Sequence, residues 1–595
     1  MAPALDAKTL AAAFQRTAAE HADKVALRTK DDAFSATWAE YAERVRRVAA
    51  GLAALGVKRG DNVGLMLTNR PEFHFADAGA MHLGATAFSV YNTSTAEQIA
   101  YLLGDAANRV LFTERAFLDT VPEAKKLGEN ALEHVVVVDG EAGEGTPNLA
   151  ELEARGEAGF DFEAAWRAVE PGDLLTLIYT SGTTGPPKGV QLSHAAMMAA
   201  IRSFDQVVGL KPDGSVISWL PMAHIAERNV SHYLPMASGA TVTCCPDPRQ
   251  VVAYLTEVRP TWFFAVPRIW EKLMAAMEVG FAAEQDASKQ AAVEWALEVG
   301  RRRVAAEQAG EEPSAELREE HAKADELVLS KLRERIGLDR TEAVNVGAAP
   351  SPPEVIEFFH AIGVPLAELW GMSETCAAGT CNPSERIKIG TVGPPAPGVE
   401  LKLAEDGEIL VRGAMTMDGY RNDPERTAET IDSDGWLHTG DVGELDEDGY
   451  LRIVDRKKEL IINSAGKNMS PANIEAKIKA ACPLIGQVVA VGDDRPYIVA
   501  LVVLDPDAAP AFAAAKGIAD GSLEALVAQP AVLEEVAAGV ERGNAGLARV
   551  EQVKKFRLLA AEWQPGGVEL TPTMKLKRRP IEHRYAAEID ELYAE

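Results

Sequence analysis

The sequence predicts an α/β protein: a large, multi-layer N-terminal domain with a β-barrel-like part, followed by a small α/β C-terminal domain. Three observations carry that expectation. Helical and β-rich segments alternate from about residue 14 to 258, which calls for helices layered on a largely parallel sheet. Short period-two strands with acidic turns replace this pattern from Gly390. A charged stretch, DRKKEL (455–460), then precedes a fresh helix-and-strand unit.

The elements follow in order. TWAEYAERVRRVAAGLAALG (37–56) has helical periodicity, and DNVGLML (61–67) and RVLFTE (109–114) read as strands. LLTLIY (174–179) is a buried-strand pattern, and SHAAMMAAIRSF opens a helix with Ser193 as its cap. The segment 276–336 is nearly free of Gly and Pro and dense in Ala, Glu, Arg and Lys. Apolar Val293, Ala296 and Leu297 recur at helical spacing there, so it reads as a charged helical insertion. VELKL and GEILVRG flank the turn AEDG as a hairpin, and GYLRIV (449–454) closes the β-rich part. Ser470 and Pro471 start a helix running to Ala481, and the strands IGQVVAVG and YIVALVVL follow. A boundary is expected at Asp455–Lys458, dividing the chain into residues 1–455 and 456–595.

Composition narrows the function. The 595 residues, 47% hydrophobic and 25% charged, suit a soluble globular chain of several units. A net charge of −29 argues against a general nucleic-acid binder and against strong adsorption to anionic membranes. One basic cluster, Lys554, Lys555, Arg557, Lys575, Lys577, Arg578 and Arg579, runs against that field; a solvated basic face would also explain it. Five cysteines without a paired C-x-x-C pattern fit a reducing cytosol. The first residues contain acids and no apolar core of a secretory signal, and no apolar run approaches the ~20 residues that span a bilayer.

YTSGTTGPPKGV (179–190) is read as linking the 174–179 strand to the following helix, where α/β sheets bind ligands. Gly182 and Gly185 let several backbone N–H groups face one anion. Thr180, Ser181, Thr183 and Thr184 add hydroxyls, Thr184 within reach of a metal, and Lys188 adds a mobile cation. The set suits a polyphosphate, although Gly189 after the lysine excludes a Walker A loop. A solvent loop would explain the glycines and prolines but not four hydroxyls plus lysine behind a buried strand.

The string resembles the phosphate-loop motif of the acyl-adenylate-forming (AMP-binding) superfamily, and further matches follow in order. LPMAHIAER resembles the histidine motif beside the acyl carboxylate, placing His224 there. NVGAAP resembles the adenine-edge loop, with Gly347, Ala348 and Ala349. ELWGMSET resembles the Tyr-Gly-x-Thr-Glu motif through Leu369, Trp370, Gly371, Met372, Ser373 and Glu374; Trp370 replaces tyrosine and still stacks on a purine, and Ser373 replaces threonine. WLHTGDVG resembles the ribose motif, with Asp441. GYLRIVDRKKELIINSAGKNMSP resembles the hinge segment, with Ile453 and Arg456 towards the nucleotide, Lys458 at the hinge, and Gly466 and Lys467 on the coenzyme A path. LTPTMKLKRR resembles the C-terminal lysine motif, with Lys575 as catalytic lysine and Met574 where glycine is common.

The resemblance implies an adenylation domain at 1–455, carrying the 276–336 insertion, and a mobile domain at 456–595. It implies ATP and coenzyme A as substrates, with Mg²⁺ held by Thr184 and Glu374 as the cofactor. The implied reaction joins a carboxylate to AMP with release of pyrophosphate, then passes the acyl group to a thiol. Lys575 would bridge the two repelling anions, which favour its ammonium form. TWFFAVPRIWEKL (261–273) and the insertion resemble long-chain acyl-CoA synthetases of the bubblegum-like and bacterial group, so Trp262 and Phe264 join His224 as expected acyl-pocket residues; ordinary core packing explains the same aromatics equally well. A cytoplasmic enzyme in transient contact with membranes, where long acyl chains partition, fits. Two other readings stay open: a fatty acyl-AMP ligase that loads a carrier protein, and a catalytically silent adenylate-binding module.

Overall fold

The computed structural model describes residues 3–140, 146–156, 159–180, 186–462, 468–564, 566–571 and 574–594. Three sheets build most of the N-terminal part. A seven-stranded sheet runs in the order Gly419–Tyr420, Lys188–Ser193, Leu174–Thr180, Thr86–Ser89, Asn62–Met66, Val110–Thr113, His134–Val137, parallel from Leu174–Thr180 onward. A four-stranded sheet joins Ser35–Thr37, Val25–Thr29, Thr241–Cys244 and Ser215–Ser218. The third orders Trp262–Ala265, Ala343–Val346, Leu366–Trp370 and Thr380–Cys381.

The local reasons are legible. The helix Trp38–Ala54 begins at Thr37 because Thr37 and Glu40 form a reciprocal capping box. Its apolar face buries Trp38, Tyr41, Val45 and Val48 in the largest core, between the first two sheets. Within 276–336 lie the helices Ala287–Gln308, Ala315–Ala324 and Ser330–Arg335. Ala296 and Leu297 face a second core with Trp270 and Phe359. There the helix Ala287–Gln308 crosses Pro353–Ala361 at backbone contact: a Cβ on Gly300 would lie 2.1 Å from the Ala361 carbonyl oxygen.

The β-rich part takes the form of a four-stranded antiparallel sheet, Glu400–Leu403, Glu408–Arg412, Leu437–Leu445 and Leu451–Arg456. Beyond it, Ser470 caps the helix Pro471–Ala480, with Pro471 at its first position. This helix packs on a three-stranded sheet of Ile485–Val491, Ile498–Leu504 and Val553–Leu559, which has its own apolar core.

One expectation fails. The segment after Thr180 does not lead straight into a helix: Lys188–Ser193 is a strand that pairs antiparallel with Leu174–Thr180, and the helix His194–Val208 starts only at its end. Gly189, Val190, Leu192 and Ser193 are buried and Lys188 and Gln191 half-buried, so both faces of this strand are covered. The phosphate-loop residues therefore join two paired strands. Ser193 caps the helix as expected, accepting from the Ala196 N–H.

Candidate active site

A cavity of about 1820 Å³ opens between the C-terminal unit and the ends of the N-terminal sheets. Its wall includes Thr180 and Lys188 from the paired strands; Gly347, Ala348 and Ala349; the run Leu369 to Glu374; Asp441, Ile453, Arg456 and Lys458; His224 and Phe264; and Lys575. Residues separated by up to about four hundred positions thus share one space. Ser181, Gly182, Thr183, Thr184 and Gly185, and likewise Gly466 and Lys467, lie outside the described residues. Trp262 does not reach the cavity. It is buried in the core, where its indole N–H donates to Asn345 Oδ1 (2.8 Å), so the packing reading applies to it.

Small residues shape the wall. Gly347 lies against Leu369, whose carbonyl oxygen would be 3.0 Å from an added Cβ. Gly371 sits closer still, 2.0 Å from the Ala377 carbonyl oxygen by the same measure. That contact closes a tight loop after Glu374, in which Cys376 and Ala377 both have positive φ (51° and 62°) and Asn229 Nδ2 donates to the Cys376 carbonyl (2.6 Å).

The polar groups are specifically partnered. Trp370 Nε1–H donates to Asp441 Oδ2 (2.9 Å), which commits the indole edge. Arg456, opposite Asp441 in the sheet register, brings Nε to 3.2 Å of Oδ1. Oδ1 is buried and, among the described residues, takes part in no hydrogen bond, so it remains an acceptor. Tyr420 donates from Oη to Glu374 Oε1 (2.8 Å), and Lys188 Nζ stands 4.8 Å from the centre of the Tyr420 ring.

His224 Nδ1 accepts the Ala226 N–H (3.2 Å), leaving the proton of the neutral ring on Nε2. Burial, then the nearby Lys575 charge, push its pKa down to about 3. It is therefore a neutral donor at working pH.

Lys575 sits on a turn in which the Thr571 N–H donates to the Lys575 carbonyl (2.8 Å) and Met574 adopts φ 65°. Its side chain is wetted by the cavity although protein encloses it at longer range. Enclosure first, and Arg456 second, push its pKa down to about 8 against the pull of Asp441, Glu459 and Glu374. The direction is opposite to the one expected beside anions, because the compensating phosphates are not part of the chain; the ammonium still dominates at neutral pH.

Several groups carry no sequence signal strong enough to be singled out. Glu368 lines the cavity, its Oε2 buried without a hydrogen bond among the described residues, and burial pushes its carboxyl up to about 7. A charged residue within the apolar strand Leu366–Trp370 is the signal that could have found it. Behind His224, the buried Arg228 donates to the Met222 carbonyl (3.1 Å), to Asp77 (2.5 Å) and to Ser89 (2.9 Å), fixing the histidine loop to the main sheet and its helix. From the basic cluster Arg578 faces inward, pairing with Glu475 (2.5 Å) and Glu459 (3.1 Å), while Arg579 and Lys554 are exposed. Across the cleft, Arg268 pairs with Asp505, Lys272 with Asp507 (2.7 Å) and Lys479 with Glu271 (3.5 Å).

Comparison with known proteins identifies the family. The model of the AMP-binding enzyme family matches residues 14–421, and that of the AMP-binding enzyme C-terminal domain matches 458–595. The chain is 54% identical over 451 residues to the "Putative fatty-acid--CoA ligase fadD11" of Mycobacterium tuberculosis, covering 76% of this chain and 79% of that one. It is 35% identical to the long-chain-fatty-acid–CoA ligase FadD15 of the same organism, over 94% and 92% of the two chains. With the long-chain-fatty-acid–CoA ligase ACSBG2 of Xenopus laevis it shares 32% identity over 98% and 83%.

In fold it resembles the anthranilate CoA ligase AuaEII in complex with anthranoyl-AMP (TM-score 0.75, 20% identity, 98% of both chains). It also resembles a Mycobacterium tuberculosis fatty acyl CoA synthetase (TM-score 0.61, 22% identity, 98% and 99%). With the family model covering most of its length and FadD15 matched over 94% of this chain, the chain belongs to the AMP-binding enzyme family, in a two-domain α/β fold.

Proposed function

We propose that this chain is an ATP-dependent long-chain fatty acid–CoA ligase. The carboxylate oxygen of the acid attacks the α-phosphorus of ATP and pyrophosphate leaves, giving the acyl-adenylate. The thiol sulfur of coenzyme A then attacks the acyl carbon, losing its proton, and AMP leaves. The observation that carries the reading is the convergence of Lys575, Glu374, Asp441 and His224 on one cavity.

The geometry supports a role for each described residue. Asp441 Oδ1, the open acceptor, takes a ribose hydroxyl, and Arg456 steadies the same carboxylate. Glu368 offers a protonatable carboxyl to the base edge beside the Trp370 ring. The neutral His224 donates from Nε2 to the acyl carboxylate. Lys575 offsets the repulsion between carboxylate and α-phosphate, a positioning and field effect rather than proton transfer. Lys188 and Thr180, with the hydroxyls of 181–185, hold the outer phosphates.

Mg²⁺ prefers one or two carboxylates plus substrate phosphates. Glu374, a buried carboxylate on the cavity wall whose Oε1 accepts from Tyr420, fits that donor set, with Thr184 as its proposed partner; the ion would neutralise phosphate charge. Domains at 1–455 and 456–595 turn about Lys458 between the half-reactions, bringing Gly466 and Lys467 to the pantetheine. No helix among the described residues is long and apolar enough to cross a membrane, and we assign the enzyme to the cytoplasm with transient membrane contact.

The test is ATP–pyrophosphate exchange over saturated acids of increasing length, followed by a coenzyme A titration. Exchange rising towards long chains, with turnover saturating in coenzyme A, is expected. No exchange with any acid overturns the reading, and exchange without coenzyme A-dependent turnover points to an acyl-AMP ligase instead.

A further inference from the structure

Two charged groups flank the phosphate end of the cavity, and a single neutral side chain touches both. The carboxylate of Glu374 accepts from Tyr420 Oη at 2.8 Å, and the ammonium of Lys188 lies 4.8 Å from the centre of the Tyr420 ring. Among the described residues Lys188 forms no ion pair, although Glu374 is near enough to act on its charge. Left to themselves an ammonium and a carboxylate in such a site would join and neutralise one another. The tyrosine ring stands between them, its face to one and its hydroxyl to the other.

The tyrosine is held tightly for this. It belongs to the edge strand Gly419–Tyr420, where Tyr420 lies opposite Val190, two residues after Lys188. The Arg421 N–H donates to the Gly189 carbonyl (2.7 Å) and the Tyr420 N–H to Thr427 Oγ1 (2.9 Å). The same segment fixes the backbone of Glu374, whose carbonyl accepts the Met417 N–H (2.8 Å). Tyr420 is 5% exposed and borders the cavity.

Resting on the activity proposed above, we propose that Tyr420 is a positioning residue that keeps Glu374 and Lys188 apart and aimed at a bound triphosphate: its hydroxyl orients the carboxylate towards the divalent ion and its ring carries the lysine to the phosphates. The two halves are separable. Tyr420→Phe keeps the ring and loses the hydroxyl; Tyr420→Leu loses both.

The experiment is calorimetric titration of the full-length protein with ATP, once with Mg²⁺ and once with EDTA, without fatty acid so that nothing turns over. Loss of a hydrogen bond to a charged group predicts that Tyr420→Phe weakens Mg-ATP binding by about tenfold. It should leave Mg-free ATP binding within about twofold and, in a separate exchange assay with fatty acid present, raise the Mg²⁺ concentration for half-maximal exchange. Tyr420→Leu should weaken Mg-free ATP binding as well, by about threefold or more, because the cation–π contact is lost too. A purely packing role would move thermal stability but not the difference between the Mg²⁺ and EDTA arms. Equal Mg²⁺ gains in Tyr420→Phe and wild type, or equal Mg-free affinities in the Phe and Leu variants, overturn the proposal. A wild type that binds Mg-ATP but shows no acid-dependent exchange overturns the ligase reading alone; one that binds no ATP overturns both.

Discussion

Arg268, Glu271 and Lys272 share one face of the helix Pro267–Ala283, at spacings of three and four. They meet Asp505, Lys479 and Asp507 from the C-terminal unit, sign against sign. They hold the C-terminal unit where Lys575 lines the same cavity as Glu374 and Asp441, so in the proposed domain rotation they weight that arrangement. Their contributions are unequal. Lys272 and Asp507 have side chains 46% and 73% exposed, and such a pair contributes about 0–1 kcal/mol. Arg268 and Asp505 are 29% and 6% exposed, and Asp505 already accepts the Asp507 and Ala508 N–H groups (3.0 and 2.9 Å).

Removing the arginine therefore leaves a carboxylate still held by two donors, and the loss is that of one charge-assisted hydrogen bond, about 2 kcal/mol. Arg268→Gln should shift the domain equilibrium by about thirtyfold away from the adenylating arrangement, whereas Lys272→Gln should shift it less than about fivefold. Single-molecule energy transfer between a dye on each domain reads the populations. Rapid-quench measurement of acyl-adenylate formation, beside thioester formation from preformed adenylate, reads the consequence. The reasoning fails if Arg268→Gln leaves both unchanged, or if Lys272→Gln has the larger effect.

Four further outcomes are expected. Lys575→Ala should reduce adenylation by about 10²-fold or more while sparing thioester formation from supplied acyl-adenylate; equal losses in both halves would remove its assigned role. Because the free-enzyme ammonium of Lys575 is present below about 8 and lost above it, kcat/KM for ATP should fall as pH rises through that value, and Lys575→Arg should move this alkaline limb upward. His82 and His194 are buried with pKa values pushed down to about 4 from 6.5, so each binds fewer protons folded than unfolded; thermal stability should be full above about 6.5 and decline as pH falls towards 4. His194→Asn, which keeps an acceptor for the Leu10 N–H, should remove its share of that decline, roughly 3 kcal/mol or less, as differential scanning calorimetry across pH would detect. Met574→Gly should relieve left-handed strain and raise stability by up to about 1 kcal/mol, measured by denaturant unfolding; a loss of stability would mean that the methionine side chain holds the turn.

How much of this could be read from residue order depended on how local the cause was. The Ser193 and Ser470 caps lie within four residues of what they fix, and each was legible. Lys188–Ser193 was not, because six residues covered on both faces, between a Gly- and Pro-rich loop and a helix cap, give no period-two pattern. Trp262 and Phe264 share one face of their strand, and only the fold decides that Phe264, nearer the strand's end, reaches the cavity while Trp262 is buried against Asn345. The motif residues could be found because each string resembles a known one. Tyr420, Glu368 and Arg228 act through partners brought close only by folding, and the Arg268–Asp505 pair spans 237 positions.

Backbone strain at the site was hidden for a different reason. Ala348, Cys376, Ala377 and Met574 all have positive φ, and all four lie on or beside the cavity wall. Nothing about alanine, cysteine or methionine announces that conformation, which glycine adopts freely and other residues adopt at about 1–3 kcal/mol. Such positions persist where surrounding contacts over-determine them. Around Cys376 those contacts are visible: Asn229 holds its carbonyl, and the Ala377 N–H returns to Met372 (2.8 Å). The same loop carries Ser373 and Glu374, and Asn229 lies in the segment that begins at His224. The loops that carry His224 and Glu374 are thus joined through one buried amide.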